Sequence, residues 1–276
     1  MAFSLRKISE PVLFPAVRIS LRKLTDSVQG KTILITGASF GIGERVTYRL
    51  AVPGVHLILV ARTADKLLQL KNELESDTIK ITVLPADLSK KQAVNNLIDT
   101  LKSNNIEIDI FINNAGKSIK RSVYDSLERF HDSERLMALN YFAPVALILY
   151  LIPQLTKNKG QVINVSAVNV LLIPAPEWSA YQASKSAFDN WLRSVMPELN
   201  ANGVVVSTIY LPLVRTGMIK PTKAYNNMPA MTATHAADII CKILYQQKRK
   251  FVPWWLMYGQ LASVLLRSGM ESFMYK

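Results

Sequence analysis

The sequence predicts an α/β fold, a doubly wound parallel sheet of about seven strands with helices on both faces. Three observations carry this expectation. Short apolar, β-branched runs recur along the chain, longer amphipathic stretches separate them, and the runs lack the alternation of a sheet with one wet face. Strands joined through helices require crossovers, which are right-handed. With 276 residues, 49% of them hydrophobic, the chain is long enough to bury such a sheet.

Residues 1–29 read as a basic, amphipathic N-terminal extension, and residues 30–276 as a single domain. Basic and apolar residues alternate in the extension without a long apolar stretch, so neither a membrane span nor a cleavable secretory signal is expected. It suits a membrane interface or an arm packed on its own domain or on a partner subunit. Strands are expected at residues 32–36, 56–61, 79–84, 108–113, 161–165 and 204–210, with helices between them. Pro53-Gly54, Asn158 to Gly160 and Asn202-Gly203 break the pattern as turns. Residues 215–234 have no clean period and contain Pro221, Pro229, Met218, Met228 and Met231, which suits a lid over an apolar substrate or a plain surface loop. The tail 251–276 is apolar, and Trp254, Trp255 and Tyr258 beside Lys248-Arg249-Lys250 fit a membrane interface or a packed terminus.

Composition narrows the chemistry. A single cysteine, Cys241, excludes an internal disulfide framework and points to a reducing compartment, the cytoplasm, with contact to a membrane surface through the basic ends. His56, His131 and His235 lack ligand spacing, and no metal is expected. The net charge of +13 calls for anionic partners. Nucleic acid is not expected among them, because the basic residues are dispersed and no reading module is evident.

The first strand runs into Thr36-Gly-Ala-Ser-Phe-Gly-Ile-Gly43 and then into a helix. Glycine lets the backbone turn tightly and approach a pyrophosphate, whose charge meets free N–H groups at the helix start. Gly37, Ser39, Phe40, Gly41, Ile42 and Gly43 are the expected contacts. Where an NAD site would place a carboxylate after the second strand, the chain has Ala61-Arg62, and Arg62 suits a ribose 2′-phosphate or stands exposed without a contact. The expected cofactor is therefore NADP(H). Asp87 and Leu88 fall where an adenine edge would lie, although Asp87 or Ser89 also suits a helix cap. Asn114, Ala115 and Gly116 close the fourth strand with residues small enough for a cofactor to approach. Pro144 withholds a donor from the carbonyl of Asn140, which then either holds a water or merely kinks the helix. Tyr181 and Lys185 stand four residues apart on one helical face, where an ammonium favours the phenolate.

Together these residues resemble the short-chain dehydrogenase/reductase family over roughly residues 30–247, which implies a Rossmann-type fold. The resemblance makes Tyr181 the proton donor to a substrate carbonyl. It makes Lys185 the residue that lowers the phenol pKa and holds the nicotinamide ribose, and Asn140 the anchor of a proton-relay water. Pro212-Leu-Val-Arg-Thr216 resembles the family's P-G-x-V-x-T element, with Leu213 in place of glycine and with Val214 and Thr216 toward the nicotinamide amide. One departure is marked. The strand that usually ends Asn-Val-Ser-Ser reads Asn164-Val-Ser-Ala167, so alanine replaces the second serine and one extra residue precedes Tyr181. Ser166 and Ala167 point to opposite sides of a regular strand, and an exchange of roles requires a bulge or register shift. Either Ser166 or Asn169 substitutes, or the oxyanion site is impaired. Ser166 also lies where cofactor contact is expected.

Residues 112–121, 129–135 and 212–223 further resemble bacterial long-chain acyl-CoA reductases. That resemblance implies reduction of an acyl-CoA thioester to a fatty aldehyde, with Lys117, Lys120 and Arg121 either near coenzyme A phosphates or in a solvated turn. The alternative substrate is a free hydrophobic ketone or aldehyde, and a third reading is a non-catalytic NADP(H)-binding regulator. A homodimer or homotetramer is implied by the family, built partly on the helices that carry Asn140 and Tyr181.

Overall fold

The structure, a computed structural model, describes residues 9–265. The first residues of the basic extension and the tail beyond residue 265 lie outside the described residues. In chain order the regular elements are α1 (Leu21–Val28), β1 (Thr32–Thr36), α2 (Gly41–Leu50), β2 (His56–Ala61), α3 (Ala64–Leu74), β3 (Lys80–Pro85) and α4 (Lys91–Ser103). There follow β4 (Ile110–Asn113), α5 (Phe130–Met137), α6 (Ala143–Lys157), β5 (Gln161–Ala167), α7 (Ser179–Ala201), β6 (Val205–Leu211), β7 (Val214–Arg215), β8 (Met231–Thr232), α8 (Ala233–Gln246), β9 (Lys250–Phe251) and α9 (Leu256–Leu265).

Seven strands form a parallel sheet in the order β3-β2-β1-β4-β5-β6-β9. The chain moves outward from β1 through β2 to β3 and then returns to the other side of β1 as β4. A crevice opens at this reversal, beyond the carboxyl ends of the strands, and ligands of open α/β sheets bind at such points. Side chains alternate across the sheet. Ile33, Ile35, Leu57, Leu59 and Val165 pack beneath α2 and α8, while Leu34, Ile58, Val60, Phe111 and Val162 pack beneath α4, α6 and α7. Leu24 and Val28 of α1 are fully buried in the first of these cores, so this part of the N-terminal segment packs on the sheet domain.

Four strands differ from expectation in their limits, β6 among them by starting at Val205. β3 begins at Lys80 and runs to Pro85, and β4 begins at Ile110, because the Ile108 N–H is taken by the Gln154 side chain at 2.6 Å rather than by a strand. β5 and β6 continue to Ala167 and Leu211, paired residue by residue to the end. The seventh strand, Lys250–Phe251, is only two residues long and sits in the charged run before the tail.

Between α5 and α6 the helix widens into a π turn over Ala138–Phe142, with the Ala143 N–H returning to Ala138. Pro144 in the first turn of α6 has no N–H to offer the Asn140 carbonyl, and a change of helical period is one way to absorb that loss. The continuous helix Phe130–Lys157 is apolar and long enough to cross a bilayer, yet Leu147, Ile148, Leu151 and Leu155 are buried against the sheet.

Candidate active site

The crevice is framed by two turns held together by one side chain. Gly37 and Gly41 have φ values of 70° and 62°, the left-handed region that glycine adopts without a Cβ penalty. Asn114, just past β4, donates its amide to the carbonyls of Thr36 at 3.0 Å and Gly37 at 3.2 Å. Thr36 answers through its hydroxyl, which accepts the backbone N–H groups of Asn114 and Ala115, both at 3.1 Å. A Cβ on Gly43 would lie 2.1 Å from the Gly37 carbonyl oxygen and 2.6 Å from the Asn114 amide, so a side chain has no room there. Phe40 precedes α2 without any side-chain cap, which leaves the first N–H groups of that helix available to an anion. Ser39 is buried, Phe40 exposed and Ile42 half-buried on this turn. Thr216 packs against Gly41, at 3.0 Å from the position of its missing Cβ, bringing the Pro212 to Thr216 element onto the same turn with Val214 buried.

Arg62 is exposed at the end of β2. Burial works against ionisation of Asp87, but hydrogen bonds from the Ser89 hydroxyl (2.7 Å) and N–H (3.1 Å), helped by the Arg62 charge, hold its carboxyl below the ordinary range. Neither Asp87 nor Ser89 caps α4, whose cap is Lys90, so Asp87 closes a local turn instead. Leu88 is buried beside it.

On the other wall, Asn140 is 1% exposed and satisfied on all sides. Its amide donates to the Lys117 carbonyl (3.0 Å) and the Ser184 hydroxyl (2.9 Å), and its oxygen accepts the Lys117 N–H (3.1 Å). Gly116 lies over this group, its missing Cβ 3.2 Å from Lys185 Nζ and 3.4 Å from Asn140 Oδ1. Lys185 is buried, donates to the Val165 carbonyl at 3.4 Å, and is pushed down to about 8 by burial. Tyr181 moves the opposite way from the expected lowering. Burial, followed by the neighbouring Tyr225 phenol, pushes it up to about 12. The resting phenol is therefore neutral, the form that donates a proton.

The sequence reading did not identify the aromatic wall beside Tyr181. Trp178 meets the Tyr181 ring edge-on at 5.7 Å and stacks on Tyr225 at 5.8 Å. Tyr225 comes from the segment expected as a lid. That segment returns on itself because β7 and β8 pair, Val214 with Met231 and Arg215 with Thr232, while Glu10 accepts from both Arg215 and the Ala230 N–H. A lone tyrosine among methionines and prolines carries no periodic signal, whereas Thr36 could have been found from its place immediately before the glycine turn.

The register of β5 is continuous through Ser166 and Ala167, without a bulge. By alternation Ser166 shares the face of Val162, beneath α6 and α7, and Ala167 faces the other way. Asn169 follows in a 3-10 turn, with its carbonyl bound by Gln182 at 2.7 Å and its side-chain oxygen buried without a partner among the described residues. Cys241 is fully buried in α8 and pushed up to about 12 by burial, which disqualifies it as a nucleophile at neutral pH.

Residues 31–227 match the sequence model of the short chain dehydrogenases. A fatty acyl-CoA reductase of Acinetobacter baylyi is 41% identical over 240 residues, which cover 87% of this chain and 80% of the relative. A fatty acyl-CoA reductase of Mycobacterium tuberculosis is 43% identical over 210 residues, covering 76% of this chain and 71% of the relative. Among solved structures, a short-chain dehydrogenase from Sphingobium yanoikuyae in complex with NADPH superposes with a TM-score of 0.74 at 26% identity, over 88% of this chain and 95% of that one.

The glycine contacts predict a contrast. Gly43→Ala should destabilise the protein by on the order of 1–3 kcal/mol through overpacking against backbone that cannot yield. Gly217, with nothing within 4 Å of its Cβ position, should tolerate alanine to within ~0.5 kcal/mol. Urea unfolding of the two variants checks this, and equal midpoints would refute the close packing of α2 on Gly37.

Proposed function

The chain belongs to the short-chain dehydrogenase family, and from that premise we propose that it is an NADPH-dependent reductase converting a long-chain fatty acyl-CoA thioester to a fatty aldehyde. The observation that carries the reading is the meeting of Lys185 and Asn140 beside Gly116, one helical turn from a neutral, half-buried Tyr181, in a chain 41% identical to a fatty acyl-CoA reductase. The glycine-lined turn and the uncapped start of α2 fit a dinucleotide. Gly37, Ser39, Phe40, Gly41, Ile42 and Gly43 hold its pyrophosphate, Arg62 its 2′-phosphate, and Asp87 and Leu88 its adenine. Asn114, Ala115, Gly116, Ser166, Pro212, Val214 and Thr216 line the path to the nicotinamide.

Bound NADPH supplies the hydride. The protein supplies the proton and the geometry. Tyr181 gives its proton to the carbonyl oxygen as negative charge grows there, and Lys185, whose charge opposes that of a phenolate, steadies the phenolate left behind. Asn140 fixes the Lys117 backbone and Ser184 of α7, which holds the Tyr181 helix against the β4 turn. Collapse of the reduced thioester breaks the C–S bond, and coenzyme A leaves as the thiol beside the aldehyde. The aromatic wall of Trp178 and Tyr225 excludes water, which strengthens the hydrogen bond from Tyr181. Ser166 is the serine on the face beneath α7, and we assign it the second hydrogen bond to the substrate oxygen.

We place the protein in the cytoplasm as a homo-oligomer joined through the outer faces of the π turn, α6 and α7, where Phe142 of the π turn and Leu149 of α6 stand exposed, with α9 resting on an anionic membrane. Trp254, Met257, Tyr258, Leu261, Val264 and Leu265 present an exposed apolar surface next to the exposed Lys248-Arg249-Lys250 run. Buried apolar area plus attraction to anionic lipid is the combination that holds a helix in an interface. Sedimentation alone and with phosphatidylglycerol vesicles tests both statements: the expected outcome is at least two subunits in solution and pelleting with the vesicles, reduced by Leu261→Glu. A monomer, or no pelleting, sinks the corresponding half.

The central test is NADPH oxidation with palmitoyl-CoA, with thiol release followed in parallel. Equal rates are expected, with a loss of about 100-fold or more in Tyr181→Phe, and about 100-fold in Ser166→Ala if that hydroxyl is the oxyanion donor. Loss in Asn169→Ala instead would transfer the role, and turnover of free aldehydes or ketones without thiol release would replace the substrate assignment.

A pH dependence follows from Lys185. Its ammonium is present below about pH 8 and lost above it. In the free enzyme kcat/KM for NADPH should therefore decline above about pH 8, by about tenfold per unit at the limit. A profile flat to high pH would contradict the depressed lysine.

A further inference from the structure

Asp132 gathers three arginines. It lies in the first turn of α5, 5% exposed, and one carboxylate oxygen accepts from Arg121 and from Arg129 Nε at 3.1 Å, while the other accepts from Arg135 at 2.6 Å. The His131 ring stands 3.7 Å from the second oxygen. Burial opposes the charge on Asp132, but the hydrogen bonds from Arg121 and Arg129 hold its carboxyl below the ordinary range. Three cations thus face one anion. A single bidentate arginine would have satisfied this carboxylate. The cluster carries more positive charge than this one carboxylate neutralises.

Each guanidinium carries five N–H donors, and Asp132 takes one from each. Arg129 and Arg135 keep 44% and 42% of their side-chain surface exposed, so their remaining donors face solvent. Arg121 and Arg129 line a cleft of about 290 Å³ with Asp132, Glu177, Ser179 and Ala180, the last two immediately preceding Tyr181 on α7, and both carboxylates there are already paired with cations. The loop bearing Arg121 is fixed to the α7 entrance through its N–H to the Glu177 carbonyl at 2.8 Å and through the Lys120 pair with Glu177 at 2.7 Å. Lys117, lowered first by burial and then by Arg135 and Arg62 against the opposing pull of Asp132 and Asp87, lies within electrostatic reach of both the cluster and the cofactor side.

We propose that Arg121, Arg129 and Arg135, arrayed on Asp132, form the subsite that binds the phosphate groups of the coenzyme A half of the substrate. The inference rests on the acyl-CoA reading and deepens it. Guanidinium forks match phosphate oxygens in pairs, and Asp132 orders the three side chains before the ligand arrives, so little of their entropy is lost on binding. The cleft beside them leads a thioester toward Tyr181.

The test uses the NADPH-bound protein, with calorimetric binding of coenzyme A and KM measured for palmitoyl-CoA and for S-palmitoyl-pantetheine, which carries the same thioester without phosphates. Arg129→Gln and Arg135→Gln should each weaken coenzyme A binding by about tenfold. They should also erase most of the preference for palmitoyl-CoA over S-palmitoyl-pantetheine, with the dissociation constant of NADPH unchanged. Arg121 stays in both variants so that Asp132 keeps a partner. Should either fail to fold, the unaltered protein still decides, because its coenzyme A affinity must fall as salt rises while S-palmitoyl-pantetheine binding does not. Unchanged coenzyme A affinity in folded variants, salt-independent binding, or equal weakening of NADPH and coenzyme A would each overturn the subsite. Failure to reduce palmitoyl-CoA at all, with coenzyme A binding still lost in the variants, would remove the reaction and leave the phosphate subsite standing.

Discussion

The Asn114 amide donates to the carbonyls of Thr36 and Gly37, and those two bonds tie the end of β4 to the turn after β1. Much of the crevice depends on that tie. The strand order reverses between these two strands, so their ends would otherwise diverge with the twist of the sheet and leave buried carbonyls unpaired. Because Asn114 occupies the space, Gly43 must approach Gly37 without a side chain, and α2 starts close against β1. The result is a helix N-terminus aimed at the crevice with its first N–H groups uncapped. A general rule of α/β sheets thereby becomes a particular set of atoms.

The opposite wall solves a different problem, the burial of polar groups. Asn140, Ser184, Lys185 and the backbone of Lys117 are all withdrawn from water, and each unpaired group there would cost roughly 1–3 kcal/mol. Asn140 meets this by pairing with the Lys117 N–H, the Lys117 carbonyl and the Ser184 hydroxyl, and the π turn that carries it allows its side chain to reach the β4 loop. Lys185 is less well provided, with one long bond to Val165, and its pKa falls accordingly. A group left under-satisfied in this way gains most from an anionic partner, as a bound dinucleotide would be. The same burial keeps the Tyr181 phenol protonated. The Tyr181 shift favours the direction of reduction, in which the phenol begins as an acid.

Where pattern and chemistry coincided, the sequence was legible. Strand runs without alternation revealed a sheet covered on both faces, and glycine spacing after the first of them located the crevice. Tyr181 and Lys185 were singled out by helical spacing together with their place after the fifth strand. What was hidden depended on contacts distant along the chain. β9 is two residues long inside a basic run, too short for any period. Asp132 looks like one charge on an amphipathic helix until Arg121 folds back from the preceding loop. Tyr225 acquires meaning only when β7 and β8 close their segment and set its ring against Trp178. Of the strand limits that moved, those at Ile108 and Ala167 did so because one N–H found a side chain and another strand continued to pair.

Ala167 is the remaining constraint on the proposed chemistry. A bulge at the end of β5 would have turned one of the two residues and let Ser166 exchange places with the missing hydroxyl, but the pairing with Tyr210 and Leu211 is regular. The added residue therefore enters after the strand, in the 3-10 turn and loop that lead to Trp178, and not within the ladder. Its effect is to lengthen the path into α7 while Gln182, bonded to the Asn169 carbonyl and to the Ala175 N–H, keeps the start of that helix fixed. The chain thus preserves the position of Tyr181 at the expense of the residue usually placed opposite it. The second donor assigned to Ser166 therefore acts from the other face of β5, and loss of one such donor costs about 100-fold in rate. Enclosure adds to what the donors supply, since a hydrogen bond from a phenol shielded by Trp178 and Tyr225 acts across a lower dielectric than one open to water.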